Sequence, residues 1–263
     1  MANAVSGEKQ TGQYVEHWDG VYSSRPEQLS REWHCEYSQI SGLLQPYIYQ
    51  AITSEDEGTA DPQSPAVLNL LLDIGCGSST IATDIRDDFP KVNMRLHLLD
   101  ISSVIIDALK ERHADDESVE CEVADCRALP SLDGSVCVVV DKGTLDALHG
   151  DEDKMMVLRE CNRILTKTGV LVSISFGAAR RIGFLTKAAT VLNMHLHIHV
   201  VGDGDPCSGH QVVFVAILAK DLSACEYFPS ELTGRILARV AKTGSVMTED
   251  SDSDEESKLC VEF

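Results

Sequence analysis

The stretch LLLDIGCGSST, residues 70–80, decides the fold class. An apolar run ends at Asp73, glycines follow at positions 75 and 77, and polar residues that suit a helix start come next. Glycine lets the backbone turn tightly and approach a ligand without a Cβ in the way. Asp73, Gly75 and Gly77 therefore predict a strand, a ligand-binding turn and a helix. Thr80 stands where a dinucleotide fingerprint needs glycine or alanine, which counts against NAD.

Short β-rich runs alternate with helical stretches from Val67 to Phe176, which indicates βαβ units and a mostly parallel sheet. Two further β-rich runs, MHLHIHVV and QVVFVAILAK, follow near the carboxyl end and are joined by a Gly/Asp/Pro loop. The predicted fold is α/β, a Rossmann-like, mostly parallel sheet closed by a C-terminal antiparallel hairpin.

The domain organisation follows from composition. The amino-terminal part holds both tryptophans and five of the six tyrosines, and it is separated from the sheet by a polar, acidic stretch. The predicted units are an N-terminal aromatic lid segment (1–52), a flexible acidic connection (53–65), the core (66–220), a C-terminal extension (221–248) and a disordered acidic tail (249–263).

Composition also limits the partners. Of 263 residues, 22 are Lys or Arg and 42 are Asp or Glu, giving a net charge of −20. This balance argues against nucleic acid and favours a basic protein partner. The nine cysteines include no C-x-x-C pair, and the chain shows neither a signal peptide nor a bilayer-length apolar run. A reducing, cytoplasmic location without membrane contact is expected.

Two more acids follow predicted strands. Asp100 ends the next β-rich run about 20 residues beyond the glycines, where a carboxylate can accept both ribose hydroxyls. Asp125 and Cys126 end the third run, where a carboxylate can bind the amino group of adenine. Each acid alone also suits a turn or a helix cap, but three at successive strand ends indicate a nucleoside site.

In this order of glycine turn, ribose acid, adenine acid and terminal hairpin, residues 66–219 resemble a class I S-adenosylmethionine-dependent methyltransferase. The resemblance implies S-adenosyl-L-methionine as cofactor and S-adenosyl-L-homocysteine as product. Enzymes that methylate a nitrogen of adenine or glutamine usually carry Asn-Pro-Pro-Tyr at the end of the fourth strand. This chain has Asp141-Lys142-Gly143-Thr144 there. Cytosine-C5 enzymes need a Pro-Cys nucleophile, and Pro206-Cys207 lies in the late hairpin loop.

The sequences DKGTLDA (141–147), HWDGVYSSR (17–25) and EWHCEYSQISGLL (32–44) are similar to the methyltransferase-like protein lysine methyltransferases, which include enzymes of elongation factor 1A and citrate synthase. The resemblance implies an N-terminal helical lid over the cofactor. It also implies an approach of Lys142 to the methionine end. The implied cofactor contacts are Trp18, Tyr22, Trp33, Gly75, Asp100 with Ile101, Asp125 with Cys126, and Lys142.

A lysine acceptor must lose its proton before it can attack a methyl group, and its ordinary pKa is about 10.4. Asp141 is assigned the catalytic role of orienting the substrate ammonium or the cofactor amino group, and Asp146 a weaker one. The alternatives are that Asp141 only anchors the strand-end loop and that Asp146 only pairs with a helix N-terminus. A small-molecule methyltransferase and a non-catalytic adapter of the same fold also stay open.

His195, His197 and His199 alternate along one predicted strand and so share one face. No carboxylate or cysteine at ligand spacing completes a metal site with them. An exposed face of an edge strand is therefore expected, and no metal is predicted.

Overall fold

The computed structural model describes residues 2–53, 69–176, 179–202, 212–223, 225–227 and 229–243. Within them lies a seven-stranded sheet of order β3-β2-β1-β4-β5-β7-β6. The strands are Asn69–Ile74 (β1), Met94–Asp100 (β2), Val119–Val123 (β3), Val136–Lys142 (β4), Leu165–Ser175 (β5), His195–Val201 (β6) and Val213–Ala219 (β7).

The helices flank this sheet. They are Ala2–Ser24 (α1), Ser41–Thr53 (α2), Ile81–Asp88 (α3), Ser103–Arg112 (α4), Thr144–Ala147 (α5), Gly150–Ile164 (α6), Ala179–Leu192 (α7) and Glu231–Thr243 (α8). Two short 3₁₀ turns, Pro26–Ser30 and Tyr37–Gln39, connect α1 to α2. None of the described helices is long and apolar enough to cross a bilayer.

The predicted fold class is confirmed. Strands β1 to β5 pair in parallel, whereas β7 pairs antiparallel with both β5 and β6. Every residue of β4 is buried because this strand lies at the centre of a sheet covered on both faces. The expected hairpin therefore closes the sheet, with its second strand inserted beside β5.

Alternation along the strands divides the core into two layers. Leu71 and Val140 face the layer under α2, α3 and α4, whereas Leu72 and Val139 face the layer under α6 and α7. α6 begins with three acidic residues and carries Arg163 in its last turn, an arrangement that complements the helix dipole. The two layers hold the carboxyl ends of β1 to β4 at one edge of the sheet.

The lid segment falls into two parts. α1 runs toward the carboxyl edge of the sheet and contacts α4, whereas α2 packs on the sheet face near β4 and β5. The acidic connection predicted at 53–65 lies outside the described residues apart from Thr53, and so does the whole tail predicted at 249–263.

The expectation of an exposed histidine face on β6 was wrong for two of the three residues. The Tyr47 hydroxyl on α2 lies 3.0 Å from His197 Nδ1 and 2.9 Å from His199 Nε2. His195 alone is exposed. The β6 pattern predicts one shared face, but a helix distant in sequence covers most of it.

Candidate active site

The glycine turn has the geometry that the sequence predicted. Gly75 and Gly77 have φ of +57° and +51°, a region that residues with a Cβ rarely adopt. A Cβ on Gly75 would lie 2.2 Å from Thr144 Oγ1, and one on Gly77 would lie 3.0 Å from the Tyr22 hydroxyl. The Thr144 hydroxyl also donates to the Ile74 carbonyl at 2.7 Å, which ties the turn after β4 to the turn after β1.

Replacement of Gly75 by alanine is expected to lower the free energy of unfolding by about 2 kcal/mol or more, since backbone strain and overlap with Thr144 add together. The matched control is Gly134→Ala. Gly134 has φ of +63°, but among the described residues nothing lies within 4 Å of a Cβ there, so about 1 kcal/mol is expected. Urea denaturation measures the free energy of unfolding of both variants. Equal losses of stability would contradict a steric overlap between a Cβ at position 75 and Thr144.

Asp100 anchors the glycine turn from the end of β2. Its Oδ2 accepts the Gly77 N–H at 3.0 Å and its Oδ1 accepts the Ser102 N–H at 2.9 Å. Burial raises the pKa of Asp100 to about 6, although the backbone hydrogen bonds act in the opposite direction. Ile101, the next residue, is half-buried. The side chain thus holds the turn while it lies at the predicted ribose position.

Asp125 belongs to a buried network that the sequence did not reveal. Arg127 binds Asp125 at 2.7 Å and Asp153 at 3.0 Å, and the Thr11 hydroxyl on α1 donates to Asp125 at 3.1 Å. Burial raises the pKa of Asp125, but the hydrogen bonds from Arg127 outweigh it and the pKa is lowered. Asp125 is therefore ionised, and its neighbour Cys126 is half-buried.

Asp73 supplies a buried acid without a complete set of partners. It is 1% exposed, and its Oδ2 has no hydrogen-bond partner among the described residues. Burial, then the charges of Asp141 and Asp100, raise its pKa well above the usual value. An orphaned oxygen beside a glycine turn is what a bound polar ligand would satisfy.

A clamp segment, residues 25–34, covers the glycine turn. The Ser78 hydroxyl bonds the carbonyls of Gln28 and Arg31 at 2.9 and 2.6 Å. Glu32 accepts the Ser79 hydroxyl at 3.0 Å and forms an ion pair with Lys142. The clamp therefore joins the start of α3 to the end of β4.

Lys142 and Trp33 meet within this clamp. Lys142 Nζ donates to the Trp33 carbonyl at 2.9 Å, and burial lowers the pKa of Lys142 to about 8. The Trp33 ring lies 4.2 Å from the Arg31 guanidinium. The contacts of Glu32 with Ser79 and Lys142 could not be predicted from sequence patterns, because they join residues far apart in the chain.

The other two aromatic residues predicted at the cofactor lie on α1. Trp18 and Tyr22 are 6.0 Å apart between ring centroids, and both pack against the core layer that contains Leu71. Burial, then the charge of Asp100, raises the pKa of Tyr22 far above its usual value. Tyr22 thus reaches the glycine turn, while Trp18 lies one helical turn earlier.

Asp141 is enclosed at the end of β4. It is 1% exposed, and it accepts the Leu145 N–H at 3.0 Å and the Ser173 hydroxyl at 2.6 Å. Burial raises its pKa. Asp146 lies farther out, with a side chain 29% exposed, and accepts the Ser175 hydroxyl at 3.0 Å.

Comparison with known proteins agrees with this geometry. A family model described as "Methyltransferase domain" matches residues 71–169. A SAM-dependent methyltransferase from Methanosarcina mazei superposes with a TM-score of 0.50 at 16% identity, over 60% of this chain and 95% of that chain, a likeness that concerns the fold alone. Residues 71–169 of the chain are thus similar to a methyltransferase domain.

Two curated relatives of this chain carry the name "EEF1A lysine methyltransferase 4". The bovine protein is 30% identical over 177 residues, which are 62% of this chain and 61% of that protein. The mouse protein is 26% identical over 225 residues, which are 77% of this chain and 80% of that protein. The chain thus spans less than two thirds of the bovine relative.

The residues at this edge of the sheet fit S-adenosylmethionine, the cofactor that a methyltransferase domain implies. Gly75 and Gly77 form a turn with positive φ at the end of β1, and Asp73 beside it carries the unsatisfied oxygen. Asp73, Asp100 and Asp125, predicted from three strand ends, lie along one edge of the sheet. Asp125 carries an arginine partner that the sequence did not predict.

Proposed function

We propose that the protein is an S-adenosylmethionine-dependent lysine methyltransferase that acts in the cytoplasm on elongation factor 1A. The observation that carries the proposal is the similarity to the two EEF1A lysine methyltransferases. With the mouse protein it covers 77% of this chain, and so extends beyond the residues that match the methyltransferase domain. The match of residues 71–169 to a methyltransferase domain supports the reaction, and the relatives' names support the substrate.

In this proposal the three strand-end acids hold the cofactor. Asp100, with Ile101 beside it, accepts the ribose hydroxyls, and Asp125 with Cys126 binds adenine. Asp73 and Lys142 hold the methionine end, beside Gly75 and Gly77. The bound cofactor supplies an activated methyl group on a sulfonium. The chain itself aligns the acceptor and excludes water.

The clamp segment and α1 act as the lid. Trp18, Tyr22 and Trp33 would close over the cofactor, a role supported by the bonds between the clamp and Ser78, Ser79 and Lys142. Because these contacts join the lid to the start of α3 and to the end of β4, entry of the cofactor requires that some of them open.

Asp141 is proposed to act by positioning. Both of its oxygens accept hydrogen bonds from within the fold, one from the first turn of α5 and one from β5. The side chain thereby fixes the turn that carries Lys142 and Asp146. Direct contact with the substrate ammonium is less well supported, since Asp141 is 1% exposed.

The charge of the chain suits a basic protein partner rather than nucleic acid or a membrane. The net charge is −20, so electrostatic attraction favours a positively charged surface and disfavours phosphate.

The proposal is tested with purified elongation factor 1A, cytosolic extract and methyl-labelled S-adenosylmethionine. Wild type should label elongation factor 1A on one or more lysines identified by mass spectrometry, and Lys→Arg at that position should abolish the label. Label found only in small molecules would overturn the protein substrate. Cofactor binding without any transfer would indicate a non-catalytic adapter.

A further inference from the structure

His34, in the clamp segment, combines three features that the lid role does not require. Its φ is +66°, which is uncommon for a residue with a Cβ and often marks functional sites. Its side chain is 8% exposed. Its Nδ1 is buried and has no hydrogen-bond partner among the described residues. A strained backbone here holds an imidazole with an unused ring nitrogen.

Asp146 determines which ring nitrogen carries the proton. Its Oδ2 lies 3.4 Å from His34 Nε2, and its Oδ1 is paired with Arg181. Burial raises the pKa of Asp146, but His34 and Arg181 outweigh it and the pKa is lowered, so the carboxylate is ionised and can only accept. The proton of neutral His34 must then lie on Nε2. Nδ1 is left as the basic atom.

The position of the ring places Nδ1 beside the strand-end turn. A Cβ on Gly143 would lie 2.3 Å from His34 Cε1 and 3.1 Å from Nδ1, so the imidazole lies directly on this turn. The adjacent residue, Lys142, is the one assigned to the methionine end of the cofactor. Nδ1 is therefore close to where the methyl group is proposed to be.

Phe176 forms the other wall of this position. Its ring stacks on His34 with centroids 4.2 Å apart and planes at 17°, and it is 40% exposed. An aromatic ring open to solvent attracts an incoming ammonium through its π face. A lysine side chain that passes Phe176 would thus meet His34.

We propose, on the basis of the proposed function, that His34 is the general base of methyl transfer and that Asp146 positions it. Nδ1 accepts one proton from the ammonium of the substrate lysine, and the imidazolium is stabilised by the Asp146 carboxylate through Nε2–H. The neutral amine then forms a bond to the methyl carbon while the electron pair of the broken C–S bond remains on sulfur. The proton leaves His34 to solvent after product release.

Other charges near His34 define its environment. Asp146 approaches from α5, Arg181 from α7 and Lys142 from β4, while Glu32 in the clamp pairs with Lys142. Lys154 on α6 is near enough for Arg181 and Asp146 to act on its pKa. The net field at His34 therefore depends chiefly on Asp146, the group in direct contact with the ring.

The activity test uses His34→Asn, because asparagine tolerates positive φ but has no basic nitrogen. On elongation factor 1A near neutral pH, kcat should fall about 100-fold or more, while KM and the calorimetric Kd for S-adenosylmethionine stay within about twofold. The loss of kcat in His34→Asn should become smaller as the pH rises toward the pKa of the substrate lysine, because more of the amine is then already neutral. His195→Gln, at an exposed histidine, should match wild type. Unchanged kcat and an unchanged pH profile in His34→Asn would overturn the proposal.

A second measurement is independent of the substrate. Long-range ¹H–¹⁵N correlation spectra of the protein with S-adenosylhomocysteine should show His34 protonated on Nε2, with its Nδ1 resonance shifted by n-butylammonium, a mimic of the lysine side chain. Asp146→Asn should remove this tautomer preference. A proton on Nδ1 in wild type would overturn the base role. Failure of wild type to methylate elongation factor 1A would instead reject the proposed function, and the spectra would still test His34.

Discussion

Asp100→Ala is expected to weaken binding of S-adenosylmethionine by about 100-fold or more. The carboxylate holds the glycine turn through the Gly77 N–H and is proposed to accept the ribose hydroxyls. Hydrogen bonds to charged groups contribute about 1.5–3 kcal/mol each, so loss of two should raise Kd by about 100-fold or more. Isothermal titration calorimetry measures this directly. A Kd within about threefold of wild type would contradict the ribose assignment.

Two controls separate the ligand contact from general damage. Asp107→Ala removes an exposed carboxylate from α4 and should leave Kd unchanged. Asp100→Asn keeps the shape of the side chain but removes its charge, and should give most of the loss of affinity for S-adenosylmethionine that Asp100→Ala gives. Because the pKa of Asp100 is about 6, affinity should also fall as the pH is lowered through 6, where protonation removes the acceptor. Asp100→Asn should lack this dependence.

The sequence predicted those features that depend on local order. Parallel strands bring their carboxyl ends to one edge, so Asp73, Asp100 and Asp125 could be placed together from their positions after apolar runs. The antiparallel hairpin followed from two β-rich runs without an intervening helix. These predictions needed only the period of side-chain alternation and the chemistry of the strand ends.

The remaining features depend on contacts between distant parts of the chain. Tyr47 covers His197 and His199 across 150 and 152 positions, which turned an expected exposed face into a half-buried one. Nothing in EWHCEY indicates the positive φ of His34, since histidine, unlike glycine, rarely adopts a positive φ. The contact between His34 and Asp146 likewise spans 112 positions. Periodicity carries no information about such pairs.

Arg127→Ala is expected to give the largest loss of stability. The Arg127 side chain is 6% exposed and lies between Asp125 and Asp153, whose side chains are 23% and 8% exposed. Removal of one partner from a buried ion pair costs about 3–5 kcal/mol, because the remaining charges lose their compensation. For a chain of this size, that corresponds to a Tm lower by about 6 °C or more in thermal denaturation.

Arg180→Ala is the matched control, since its guanidinium is 81% exposed and lies 3.8 Å from Asp151. A surface pair contributes about 0–1 kcal/mol, so its Tm should change little. Arg127→Ala should also weaken cofactor binding, because Asp125 loses the bonds that would orient it toward the proposed adenine position. Double mutation with Asp125→Asn distinguishes the causes. If Arg127 acts through Asp125, the double variant should bind cofactor no worse than Asp125→Asn alone, whereas additive losses would show that Arg127 contacts the cofactor independently.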